Sequence, residues 1–79
     1  MIKRGIWKIL ELFYKNKNKP SHLREISRQI NLTESPLTRH LNYLSKQNIL
    51  KFEKEANLKK FYVNPQFVPH IFPLYDTVS

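Results

Sequence analysis

The side chains best suited to chemistry in this chain lie in the stretch NLTESPLTRHLNYLSKQNILKF, residues 31–52. Ser35, Arg39, Asn42 and Lys46 recur there at three- and four-residue spacing, with Thr38 and Tyr43 on the flanks. On a helix that spacing lines one face. An outward Arg can donate a bidentate pair to guanine O6 and N7, an Asn can both donate to and accept from adenine, and a Thr can touch a thymine methyl or a phosphate. Base readout is one chemistry open to this face and a plain solvated surface the other; Ser35, Thr38, Arg39, Asn42 and Tyr43 are the candidate readers. A second set, Arg24, Arg28, Lys46, Lys54, Lys59 and Lys60, is suited to phosphate, which Lys and Arg neutralise without reading sequence.

Other chemistries find little support. There is no Cys, so disulfides and thiolate metal sites are excluded. His22, His40 and His70 are far apart and lack an acidic cluster to complete a metal site. The only glycine, Gly5, makes no phosphate-cradling loop. Glu11, Glu25, Glu34, Glu53, Glu55 and Asp76 form no acid–base pair. The expectation is a non-enzymatic protein with no metal, cofactor or small-molecule ligand.

Fourteen Lys and Arg against six Asp and Glu give a net charge of +8 in 79 residues. Such an excess attracts polyanions, nucleic acid or an anionic membrane surface, and its placement has to decide between them. No apolar run reaches the roughly 18 residues of a membrane span, and the first residues lack the apolar block and small-residue cleavage site of a signal peptide. A cytoplasmic location is expected.

The elements that must position these side chains follow from apolar spacing. Ile2, Ile6, Ile9, Leu10 and Phe13 share one helical face from Ile2 to Tyr14, with Trp7 and Leu12 off that stripe. Those two are either a dimer surface or partly buried residues. After the polar run KNKNKP, Ser21 is the expected N-cap of a short second helix through Ile30, with Leu23, Ile26 and Ile30 inward and Arg24, Arg28 and Gln29 outward. Asn31 suits a left-handed C-terminal position, and Leu32 a buried plug in the turn. The third helix buries Leu37, Leu41 and Leu44. Thr33 and Ser35 are both good caps, and local chemistry favours Ser35, with Pro36 at the first helical position.

Beyond Asn48, Leu50 and Phe52 alternate with Lys51 and Glu53, and Phe61 and Val63 with Lys60 and Tyr62. This pattern predicts two antiparallel strands with the alternating apolar residues inward. Between them, Asn57 is the residue best suited to a positive φ, and Leu58 falls at an exposed tip. The tail, residues 64–79, has prolines at 65, 69 and 73 and many aromatics. It is expected not to form one continuous helix. Its apolar residues must pack on this domain, on a second copy or on a downstream domain.

Helix, helix, turn, helix and ribbon, with TRHLNYL, NIL and KKFYVNP in the matching places, resemble the winged helix-turn-helix domains of the arsenical-resistance-repressor-like and multiple-antibiotic-resistance-regulator-like families. The resemblance covers roughly residues 2–65. It implies a mainly α fold with a small β-hairpin, three helices plus a two-stranded wing, whose third helix enters the major groove of double-stranded DNA. It also implies a homodimer and a role in transcription regulation. His40 occupies the families' His position, where a packed flank of the core is expected rather than a base contact. Residues 1–65 would form the domain, and 66–79 a dimerisation segment or the start of a downstream domain. The alternative is a winged-helix regulatory or protein-interaction module cut from a larger protein such as a nucleotidyltransferase or ATPase. RNA binding fits less well, since the paired exposed aromatics used to stack bases are lacking.

Overall fold

The computed structural model describes residues 4–76; Ile2 lies outside them. The elements are α1 (Arg4–Lys15), β1 (Ser21–His22), α2 (Leu23–Ile30), α3 (Glu34–Lys46), β2 (Leu50–Glu55), β3 (Leu58–Val63) and α4 (Val68–Asp76). The antiparallel sheet has the order β1-β3-β2.

The core is the apolar stripe of each helix meeting the base of the hairpin: Ile6, Ile9, Leu10, Phe13, Ile26, Leu37, Leu41, Leu44, Leu50, Phe61 and Val63. Leu12 belongs to it as well. It is buried because α1 packs on α2 as well as on the rest of the core, so Leu12 meets the edge formed by Gln29 and Ile30. Gly5 sits inside α1, where glycine is less favourable than alanine by about 1 kcal/mol. A Cβ there would lie 2.8 Å from Nε2 of His40, so the glycine permits the close approach of α1 and α3.

The polar run after α1 has a structural task. Lys17 and Asn18 take positive φ, and the Asn18 amide donates to the Val63 carbonyl at 2.9 Å while its oxygen accepts from the Val63 N–H at 2.7 Å. One side chain thus replaces a missing strand partner for β3.

Ser21 is not the cap of α2. It pairs with Phe61 in β1, and His22 becomes the N-cap, its N–H donating to Oε1 of Glu25 at 3.2 Å. The bare edge of β3 is satisfied by these two extended residues, which shifts the helix start onward. Asn31 is left-handed, φ 55°, as expected, and Leu32 is partly buried against the core.

The cap of α3 is Thr33, so Ser35 is the second helical residue and Pro36 the third. Pro36 loses no hydrogen bond there, because first-turn N–H groups have no partner within the helix.

In the wing Leu50 faces Val63, Phe52 faces Phe61 and Lys54 faces Lys59. Phe52, expected inward, is 44% exposed. The helices cover only the base of the hairpin, so Phe52 is left against Phe61, ring centroids 5.9 Å apart, with Nζ of Lys59 4.6 Å from its ring centre. Leu58 is exposed at the tip. The positive φ of the hairpin loop falls on Ala56, 58°, rather than on Asn57. A two-residue loop whose first position is left-handed favours glycine, and an L-residue there costs roughly 1–2 kcal/mol.

The tail does form a helix across Pro69 and Pro73. Pro69 lies in the first turn, where its ring costs no hydrogen bond; Pro73 lies inside, where it does. Packing against α1 offsets that loss. Tyr14 meets the rings of Phe72 and Tyr75, Trp7 meets Tyr75 edge-on at 6.0 Å, and the Tyr75 hydroxyl donates to the Trp7 carbonyl at 2.9 Å. Burial pushes the Tyr75 hydroxyl up to about 12, with Glu11 adding to it. Tyr14 also donates to Asp76, and that hydrogen bond is the first cause of its raised pKa. Phe72 and Tyr75 of the tail therefore pack on this domain's own first helix.

Candidate nucleic-acid interface

Burying Leu37, Leu41 and Leu44 forces the opposite face of α3 outward, and Ser35, Thr38, Arg39, Asn42, Tyr43 and Lys46 are all exposed. Arg39, Asn42, Tyr43 and Lys46 border one shallow depression together with Ser45. A deeper groove runs between α2, α3 and β3. Arg24 and Arg28 of α2, Thr38 and Asn42 of α3, and Lys59 of β3 line it, over a floor that includes Leu23, Leu41 and Phe61. Asn42 borders both hollows.

The residues selected from sequence are thus largely brought together. Lys54 stands opposite Lys59 in the ribbon register and on the same face. Lys60 is set apart: strand alternation turns it to the other face, and its Nζ lies 3.6 Å from Oε2 of Glu55. Thr38 is committed in part, since its hydroxyl donates to the Glu34 carbonyl at 2.7 Å. Its methyl and remaining lone pair are what it can offer a base.

Among the described residues the cations of this face form no ion pair, although Glu25 and Glu34 line the same groove. Among the described residues, the Lys and Arg with a carboxylate partner are Lys15, with Glu11, and Lys60, with Glu55. Among the described residues Arg24, Arg28, Arg39, Lys46, Lys54 and Lys59 have none within ion-pair distance. His40 is a partly buried flank against Gly5, not part of this surface.

His22, Glu25, Glu34, Asn57 and Leu58 also line the groove and were not among the selected residues. The wing-tip pair depends on how the ribbon folds over α2 and α3. Glu34 had a local signal, its four-residue spacing to Thr38 and Asn42.

Among the described residues no group of three or more His, Asp or Glu could hold a metal ion, and no helix is long and apolar enough to cross a membrane.

A three-helix core whose third helix is flanked by a two-stranded ribbon decides the architecture. This fold is a winged helix-turn-helix.

Solved structures agree. ZitR from Lactococcus lactis, as its C30AH42A mutant, matches with a TM-score of 0.80 and 18% identity over 96% of this chain and 51% of that one. NMB1585, a MarR family regulator from Neisseria meningitidis, matches with a TM-score of 0.78 and 10% identity over 98% of this chain and 55% of that one. The homodimeric winged helix-turn-helix DNA-binding domain of Mb0332 from Mycobacterium bovis matches with a TM-score of 0.72 and 15% identity over 90% of this chain and 63% of that one. The chain spans about half the length of the first two and under two thirds of the third. No protein family and no curated protein matches the sequence.

Proposed function

We propose that this chain is a cytoplasmic, non-enzymatic regulator of transcription that binds double-stranded DNA sequence-specifically, with α3 in the major groove. The observation that carries this reading is the exposed polar face of α3 beside a groove lined by Arg24, Arg28 and Lys59, cations without carboxylate partners among the described residues. A major groove about 12 Å wide admits one helix. With α3 seated there, Ser35, Arg39, Asn42 and Tyr43 meet base edges, and the methyl of Thr38 meets a base or phosphate. Arg24 and Arg28 on one side, and Lys54 and Lys59 on the other, fall near the backbone, with Lys46 at the far end of the helix. Lys60 contributes least, because Glu55 neutralises it.

Phosphate neutralisation should dominate affinity. The logarithm of the association constant on duplex should fall linearly with log salt, by about 0.9 for each phosphate contacted, hence by roughly 4 to 5 for five contacts. Gel-shift titrations on random duplex, single strand and double-stranded RNA at several salt concentrations measure this. A flat salt response would point to a protein partner instead.

A single helix reads few base pairs, and two copies on half-sites about one helical turn apart supply the rest. Trp7 on α1, a large apolar residue, is 38% exposed and is the surface proposed for such a contact. The M. bovis neighbour is described as homodimeric. Sedimentation at micromolar concentration should show a dimer; a strict monomer would remove this part of the reading.

A further inference from the structure

We infer that Glu34 is a specificity-determining residue of α3, its carboxylate accepting a hydrogen bond from the exocyclic amino group of a cytosine and penalising duplex that offers none. This deepens the reading above and rests on it.

Glu34 is the first residue of α3, exposed, and it lines the groove with Arg24, Arg28, Thr38 and Asn42. The Thr38 hydroxyl holds its carbonyl, and Glu34, Thr38 and Asn42 follow one another on consecutive turns along one edge of the helix. This edge lies beside the basic one that carries Arg39, Tyr43 and Lys46.

Its pairing state sets Glu34 apart. Glu11 pairs with Lys15, Glu25 with His22, Glu55 with Lys60, and Asp76 accepts from Tyr14. Among the described residues, Glu34 and Glu53 alone of the six carboxylates have no such partner. Glu53 faces Lys60 on the ribbon side opposite Lys59, away from the groove. Glu34 stays unpaired although two arginines line the same groove.

An acidic residue in the first turn also favours the helix dipole. That accounts for an acid at this position and is silent on base preference, so the two roles separate by experiment. In the major groove a carboxylate, which only accepts, has two donors to meet: N4 of cytosine and N6 of adenine. The adenine donor sits beside the N7 acceptor, which repels the second carboxylate oxygen, so cytosine is the better partner. Between two phosphate backbones an unmet carboxylate weakens every complex.

Selection from a randomised duplex pool, with the wild type, Glu34→Gln, Glu34→Ala and Arg39→Ala, tests this alongside titrations on random duplex and thermal melts. The wild type should enrich cytosine at one position. Glu34→Gln should move that position to adenine, because an amide pairs with N6 and N7 together. Glu34→Ala should accept any base there. Both Glu34 variants should bind random duplex more tightly at low salt, by roughly threefold to tenfold for one repulsive charge removed. Unchanged base preferences and unchanged random binding, with only the melting temperature lowered, would overturn the inference in favour of a helix-dipole role. A selected sequence that depends on Arg39 but not on Glu34 would overturn it while leaving base reading by α3 intact. A wild type that retains no duplex would remove both.

Discussion

Arg39→Ala should lose roughly 1 to 3 kcal/mol on a selected duplex and relax preference at one base position, while random duplex is bound nearly as tightly as before. Arg39 lies in the second turn of α3, on the face opposite Leu37, Leu41 and Leu44, and is exposed. Its guanidinium has no carboxylate within ion-pair distance among the described residues, so nothing in the fold competes with a guanine edge for its donors. Lys59→Ala is the control. Its ammonium is held over the Phe52 ring at the groove's ribbon wall, the position proposed to meet phosphate rather than bases. Removing it should weaken selected and random duplex alike and reduce the salt slope by about one unit. Paired salt titrations on a selected and a scrambled duplex, with circular dichroism to confirm folding, make the measurement. Equal losses on both duplexes for Arg39→Ala would mean that α3 does not read bases.

Phe13→Ala should cost about 3–5 kcal/mol of stability, the range for truncating a buried aromatic without full collapse of the cavity. Phe13 is 0% exposed and is among the largest fully buried side chains. Its backbone carbonyl also accepts the Asn18 N–H at 2.7 Å, in the turn whose Asn18 side chain ties α1 to β3. At roughly 0.05–0.15 kcal/mol per residue, a domain of this size has about 4–12 kcal/mol in total, so the variant should lose a large fraction of its stability and, at the low end of that range, unfold at room temperature. Urea denaturation followed by far-ultraviolet circular dichroism reads the midpoint directly. A loss under about 1 kcal/mol would show that the site repacks and that the core tolerates the cavity. Arg39→Ala should stay within about 0.5 kcal/mol of the wild type in the same assay, which separates a binding defect from a folding one.

The first three helices and the surface of α3 were legible in sequence because both follow from one local rule. Three or four residues make a turn, so the spacing of Leu37, Leu41 and Leu44 sets the buried stripe and with it the direction of Arg39, Asn42 and Lys46. Asn31 in its left-handed position is equally local, as is the alternation that turns Lys59 and Lys60 to opposite faces of the ribbon. Other features depend on partners remote in the chain. Ser21 leaves its expected capping role because Phe61, forty positions on, offers a strand edge. Leu12 is buried because α2 crosses beside it, and Phe52 is exposed because no helix reaches that far along the hairpin. Pro73 sits inside α4 because Phe72 and Tyr75 gain contacts on α1 that outweigh a lost backbone hydrogen bond. The two-residue loop between β2 and β3 sets the strained φ of Ala56, since strand register leaves that position no other turn. Local spacing therefore determined which side chains of α3 face outward. Tertiary packing decided which of them meet in one groove, because the distances between α2, α3 and the ribbon arise only when all three share a core.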